Sequence, residues 1–560
     1  LFSLPISLFS TTYTAVLSGD WTSAVTWGGM APPTTISDDD LVIISANVTV
    51  NMDTDVELNN QFASINILGN LESQNNLTVT SGTVLGTGTL IVNELMIAAE
   101  GTVIMTGEIT CETFETASNA LTLSASVNVN SELILSGGIC QLDNSGSLML
   151  ASDATIQISG GKLQNLGGTL TADGSFNLLY SGGSTVTGDE TTAGTINNLT
   201  VNLSANDQTL TMDGNLTIAG TLSLMTGTLD MSGFDLTLEG NSEVQAGASL
   251  SGNSNSSLIL SGSGDMGVIV FTSGEEDVKD CTVNIENGGW VSLGSNLTVN
   301  GTLSLNEGNV IIGDNNLTIN ANGSIEGGSE NSFVLAQGEG SLIISLEAGG
   351  ESATFPVGTD EGYFPCILTE NEGADNVEIA VNLAPQVYAE GESGADLTAT
   401  ESLVANTWFI NSTDANAQVD LDFEFMWHSD AEVNGFSSDN CYISHYINGS
   451  WDVVAAAQAS VEANGYLSIT RENITSLSPF RVADNMTAPT FEFSASEFHY
   501  YPNPAKDYLI VELPQGLESK VGQIFSANGK LMGSYSLKDN TQLDISNLPA
   551  GHYILKLHQA

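Results

Sequence analysis

Between about residues 40 and 345 the apolar residues come as doublets one residue apart, and the doublets recur at short, even intervals. In 215–244 they are Leu216/Ile218, Leu222/Leu224, Leu229/Met231 and Leu236/Leu238. In 296–325 they are Leu297/Val299, Leu303/Leu305, Val310/Ile312 and Leu317/Ile319. About twelve of the thirty aligned positions in these segments are identical, and the doublets step by six, seven and seven residues in both. Residues i and i+2 lie on one face of a strand, so each doublet predicts a short strand with one buried face. Three such strands, joined by Gly, Asn, Ser and Asp turns, make a cycle of about twenty residues that buries its apolar face only against neighbouring cycles. The pattern therefore predicts a parallel β-helix of roughly fifteen coils, about 70 Å long at ~4.8 Å per coil. A row of β-sandwiches would need longer strands than these.

The phrase Asn-Leu-Thr returns at Asn76, Asn198, Asn215, Asn296 and Asn316. Asn tolerates the left-handed turn conformation, and equivalent Asn side chains can hydrogen-bond along a stack. These sequons thus read as coil architecture rather than glycosylation sites. An open solenoid end exposes unpaired strand edges. The segment 19–29, with Trp21 and Trp27, followed by Pro32-Pro33 and Asp38-Asp39-Asp40, suits a cap on the first coil. Ahead of it, residues 1–15 begin with a short apolar run and read as the remainder of a secretory signal peptide. The β-helix with its cap is assigned to 16–345.

From 346 the phrase stops and aromatic residues rise. Phe355-Pro356-Val357-Gly358-Thr359, Trp408-Phe409-Ile410, Leu421 to Phe425, Asn448-Gly449-Ser450-Trp451 and Ile474 to Phe480 are strand and turn signals at sandwich spacing. A β-sandwich domain is expected over 346–484, acting as a spacer that caps the solenoid, and 485–497 reads as a linker. After that the charge changes. The chain has nine Lys and Arg and a net charge of −57, yet Lys506, Lys520, Lys530, Lys538 and Lys556 all follow residue 500. A boundary of this kind marks a module with a separate job.

The tail carries Tyr501-Pro502-Asn503-Pro504, the turn Asn528-Gly529-Lys530, and Leu548-Pro549-Ala550-Gly551-His552-Tyr553. Its alternating apolar runs, broken by Asn-Gly and Pro-Ala-Gly, predict a small antiparallel sandwich. Those three blocks, in that order, resemble the C-terminal sorting domain of type IX secretion in Bacteroidetes. The resemblance implies that 498–560 is an Ig-like sandwich recognised by the type IX machinery, and that the protein is secreted or held at the outer cell surface. Members of that family usually continue into a last strand with basic residues, whereas this chain stops at His558-Gln559-Ala560, so the domain reads as truncated. The stretch 346–484 is similar to the β-sandwich module that often precedes such a tail.

Charge and chemistry narrow the function further. Clustered Lys and Arg are needed to bind phosphate backbones, so a chain this acidic is not expected to bind nucleic acid. No segment reaches the apolar length of a membrane span. The five Cys (111, 140, 281, 366 and 441) lack metal-ligand spacing. No cofactor is implied; Asp38-Asp39-Asp40 and Asp53-Thr54-Asp55-Val56-Glu57 offer clustered oxygens for a structural Ca²⁺, without the spacing of a known calcium loop. Parallel β-helices also host polysaccharide lyases and hydrolases. Yet the repeat holds only Lys162 and Lys279 as bases, and all five His (428, 445, 499, 552 and 558) lie beyond it. Asp189-Glu190 and Glu275-Glu276-Asp277 read as solvated turns. The expectation is an all-β, non-catalytic β-helix serving as adhesin, coat or binding scaffold, with surface glycan or extracellular polysaccharide as partner. The alternatives are a polysaccharide hydrolase or lyase, and a carbohydrate-binding module using Trp21, Trp27 or Trp290.

Overall fold

The computed structural model describes residues 10–347, 350–371, 376–414, 417–462, 464–484, 499–512, 520–526, 530–538 and 540–559. The expected linker, 485–497, lies outside the described residues. Strands and turns make up nearly all of them, with short 3-10 turns at Asp189–Thr192, Ser429–Ala431 and Ser438–Asn440. The chain divides into two compact units, Leu1–Asn485 and Met486–Ala560.

The first unit begins as the expected solenoid, of about fifteen turns. All sixteen doublet residues of the two matched segments are buried. Strands pair in parallel with their counterparts one coil along: Leu216–Ile218 with Leu236–Leu238, then Leu258–Leu260, Cys281–Asn284 and Thr302–Glu307. A second ladder runs from Leu297–Val299 through Leu317–Ile319 to Leu342–Leu346. In-register parallel pairing stacks like on like along much of these ladders, with Cys281 standing between Leu258 and Leu303.

The sequence match and the coil do not coincide. Leu216 aligns in sequence with Leu297, but its ladder arrives at Leu303 instead. The coils from Leu236 to Leu303 take 22, 23 and 22 residues. Their surplus of seven over three twenty-residue cycles equals one step between doublets, so the second copy is turned by one face.

The repeating Asn also plays a different part. Left-handed residues other than Gly in the solenoid are Asn47, Asp153, Ser232 and Asn287, and none belongs to the Asn-Leu-Thr phrase. Four of the five phrase Asn instead accept a backbone N–H from the next coil through Oδ1, while Asn76 accepts the Asn93 side-chain amide at 3.0 Å. Asn198 accepts from Thr221 at 2.8 Å, Asn215 from Asp235 at 3.0 Å, Asn296 from Asn316 at 2.9 Å and Asn316 from Ser341 at 3.0 Å. Strand ladders leave corner N–H groups unpaired, and a short amide side chain is long enough to reach them.

Residues 1–9 of the expected signal remainder lie outside the described residues, but Thr12–Ala15 form the first strand of the solenoid. They pair with Leu41–Ile44, and Ala15 is buried. The assignment of 1–15 as leader therefore runs too far: the alternation Tyr13/Ala15 was hidden by the apolar run before it. Trp21 and Trp27 pack edge to face at 5.3 Å inside this first coil.

At the other end the solenoid passes into antiparallel sheet without a break. Leu342–Leu346 pairs in parallel with Leu317–Ile319 on one side and antiparallel with Val377–Ala384 on the other. Val357–Thr359, expected in the sandwich, continues a solenoid ladder beside Val334–Leu335 before turning back on Gly362–Tyr363. The sandwich sheets are Val377–Ala384, Leu403–Ser412, Pro479–Asp484 and Cys441–Ile447 facing Ser352–Phe355, Cys366–Glu370, Leu421–Trp427 and Leu467–Ile474. Trp408 stacks on Phe425 at 4.5 Å between them, and Phe423 meets Phe480 edge to face at 4.9 Å. Asn448 and Gly449 both have positive φ and close the expected tight hairpin.

Truncating one inward residue tests the stacking. Leu236→Ala should cost about 3 kcal/mol in chemical unfolding, whereas Thr237→Ala, on the outer side of the same strand, should stay within about 0.5 kcal/mol.

Candidate functional site

Polar groups on the solenoid are largely committed to its own stacking. Asp55 accepts the Asn76 N–H at 2.9 Å, Asp280 the Thr302 N–H at 2.9 Å and Asp189 the Asn165 N–H at 2.7 Å. The two stretches suggested for Ca²⁺ follow the same habit. Asp40, which is buried, accepts the Thr11 N–H at 2.6 Å. Asp53 accepts the Thr22 hydroxyl, and Glu57 accepts the Thr80 hydroxyl at 2.8 Å. Among the described residues no group of three His, Cys, Asp or Glu converges as a metal site would require. All five Cys are free and buried.

Glu190 departs from the expected solvated turn. The short helix Asp189–Thr192 replaces a strand and carries this carboxylate inward, where it is 2 % exposed. There it accepts the Tyr180 hydroxyl at 2.7 Å and the Gly188 N–H at 2.8 Å. Burial raises its pKa, against the lowering effect of the Tyr180 and backbone hydrogen bonds. Burial and the adjacent carboxylate hold the Tyr180 hydroxyl protonated, so it remains the donor. A raised carboxyl pKa is what a general acid needs, but this one is sealed from solvent. Sequence reasoning missed it because an acid in a Gly-rich segment looks like any other turn residue.

The candidate sugar-binding Trp separate. Trp21 is fully buried and Trp27 nearly so, with Trp27 Nε1 donating to the Trp21 carbonyl at 2.8 Å. Neither ring offers a face to a ligand in this arrangement, because both fill the interior of the first coil. Trp290 is 40 % exposed on the strand Glu286–Leu293, with Asp265 and Asn309 as its register partners on the coils to either side.

A groove that the sequence did not single out lies where the last coils meet the sandwich. It has a volume of about 580 Å³. Tyr363 comes from the hairpin after the final solenoid strand, and Tyr466 immediately precedes Leu467–Ile474. Their rings meet at 5.9 Å, edge to face, and His428 lies 5.8 Å from Tyr466. Glu330, Glu361 and Asp430 line the same space. Burial raises the pKa of both tyrosines, and the Glu330 charge raises that of Tyr466 further, so both hydroxyls stay protonated. These residues span about 140 positions of sequence, with no spacing signal to join them.

Three of the four Lys and Arg ahead of residue 500 are paired to carboxylates. Arg471 holds Asp452 with both terminal nitrogens, at 2.9 and 2.6 Å. Arg481 pairs with Glu401 at 2.8 Å and lies over the Trp451 ring. Lys279 pairs with its neighbour Asp280 at 2.8 Å.

The second unit consists of two three-stranded antiparallel sheets, His499–Tyr501, Tyr508–Glu512 and Thr541–Asp544 in one, Leu531–Leu537, Lys520–Ser526 and Tyr553–Gln559 in the other. Val511, Ile524, Leu537 and Leu543 form its buried core, with Leu548 and Tyr553 packed against them. Tyr553 donates its hydroxyl to the Pro549 carbonyl at 2.6 Å, which closes the loop containing Gly551. Tyr501 donates to Glu512 at 2.6 Å, ahead of Pro502-Asn503-Pro504. Lys530 is exposed and its carbonyl accepts the Ser526 N–H, while Gly529 lies outside the described residues. Tyr553–Gln559 runs along the whole of Lys520–Ser526. Residues 499–560 match the family model of the secretion system C-terminal sorting domain. The C-terminal unit is a type IX sorting domain. No curated protein and no solved structure matches the chain. The sorting domain makes this an exported Bacteroidetes protein, secreted or displayed at the cell surface. Among the described residues no helix is long and apolar enough to cross a membrane.

Glu190 gives a prediction with a definite sign. Its raised pKa means that the fold favours the protonated form, a contribution complete below the ordinary carboxyl range and lost as pH rises through the raised value. Glu190→Gln keeps a neutral acceptor at every pH. Its unfolding midpoint relative to the natural protein should therefore improve steadily from acid to neutral pH.

Proposed function

We propose that this type IX-exported β-helix is a non-catalytic binding scaffold of the adhesin type, displayed on the cell surface. The observation that supports this most is the use made of its acids and amides: along the solenoid they accept backbone N–H groups from the next coil. A carboxylate held by such a bond is a poor general base, since taking up a proton would forfeit the charge-assisted bond. Lyase chemistry beside a uronate calls for a free cationic base, and three of the four Lys and Arg ahead of residue 500, Arg471, Arg481 and Lys279, are each paired to a carboxylate, while Lys162 is exposed on the strand Lys162–Asn165. What the stacking leaves outward is a regular surface of Thr, Ser and Asn with acidic corners, suited to contacting hydroxylated polymers. The sorting domain supplies delivery.

Two measurements test the reading. On an array of polysaccharides the full chain should bind without releasing reducing ends; release that disappears on acid-to-amide substitution would establish a hydrolase instead. In a type IX-competent host, removal of residues 499–560 should leave the protein inside the cell envelope, while Trp290→Ala should leave export unchanged.

A further inference from the structure

We infer that the groove between the last solenoid coils and the sandwich is a binding site for an amino sugar, held by Tyr363, Tyr466 and His428 beneath a rim of Glu330, Glu361 and Asp430. The inference rests on the scaffold reading and narrows it to one place and one ligand class. Three features of the groove carry it. Its volume, about 580 Å³, falls in the range of roughly 300–1,000 Å³ usual for small-molecule sites. Its floor is aromatic: Tyr363, Phe364 and Tyr466 line it, and Tyr466 touches both Tyr363 and His428 edge to face. Ring faces of this kind accept the flat C–H side of a pyranose, and an ammonium group is drawn to them electrostatically.

The third feature is charge. Every lining residue that carries a full charge at neutral pH is acidic, and no Lys or Arg lines the groove. Glu330 stands close enough to Tyr466 to raise its pKa, so the rim charge acts on the aromatic floor and not only on bulk solvent. A uronate or sulfated sugar would be repelled there, and a neutral sugar would leave Glu330 and Glu361 unanswered, Asp430 alone already facing His428 at 3.2 Å. A sugar bearing a protonated amine answers both halves of the site, the ring on the tyrosines and the ammonium among the carboxylates. The tyrosine hydroxyls and the Gln386 amide supply partners for ring hydroxyls.

A chain of charge −57 attracts any cation weakly, so the experiment must separate recognition from counterion binding. Calorimetry on the full chain would compare a glucosamine tetramer, its N-acetylated form, a galacturonate tetramer and spermine. The glucosamine tetramer should bind about tenfold or more tighter than the other three, and Tyr466→Ala should weaken it by about tenfold. Glu330→Gln and Glu361→Gln, both at exposed positions, should each weaken it by about threefold and carry the test if Tyr466→Ala fails to fold. Equal binding of the N-acetylated tetramer, spermine binding as tightly, or affinity unchanged in the Glu→Gln variants would overturn the assignment. Glycan binding that survives all three substitutions would overturn this site and leave the scaffold reading standing; absence of any glycan binding would overturn both.

Discussion

Everything in the larger unit depends on parallel, in-register pairing between successive coils. A three-residue strand such as Leu236–Leu238 has too few hydrogen bonds and too little apolar area to hold by itself. Paired on both edges, it places Leu236 between Leu216 and Leu258, and Leu238 between Ile218 and Leu260. Full burial of one such side chain contributes about 1.5–3 kcal/mol. The gain exists only because the neighbouring coils are present. Stability is therefore shared between adjacent coils, and the two ends become the vulnerable positions.

Both ends are met by local devices. At the start, Trp21 and Trp27 fill the first coil with aromatic bulk, and the indole N–H of Trp27 takes up the Trp21 carbonyl. At the finish, Leu342–Leu346 hands its free edge to the antiparallel strand Val377–Ala384. The sandwich is thus continuous with the solenoid sheet. The groove lies near this junction: Tyr363 is on the hairpin that follows the last solenoid strand, and Tyr466 immediately precedes Leu467–Ile474 of the other sandwich sheet.

The acidity of the chain becomes understandable in the same frame. Stacked corners bring like residues close together, and repeated carboxylates would repel. The stack answers by alternating acceptors with donors: Asp235 donates its backbone N–H to the side chain of Asn215, and Asp280 accepts from Thr302. Where a carboxylate enters the interior, as Glu190 does, a tyrosine hydroxyl and a backbone N–H meet it. The sorting domain, with five of the nine basic residues in its sequence, follows a separate logic suited to its handling by the export machinery.

The order of apolar doublets by itself determined the solenoid, because a two-residue period with one buried face admits few other folds. It also determined the tail, whose Tyr-Pro-Asn-Pro and Leu-Pro-Ala-Gly blocks are local turn chemistry. Phase, by contrast, was decided by the tertiary structure. Two or three residues added to each coil between Leu236 and Leu303 turned the second repeat by one face, a sum that no local window contains. The same holds for burial of Glu190, since turn composition reads alike whether the turn faces water or the core. The groove required the whole fold. Its tyrosines and carboxylates become neighbours only because the hairpin after the last solenoid strand packs against the sandwich, where their rings meet, and sequence distance carries no trace of that.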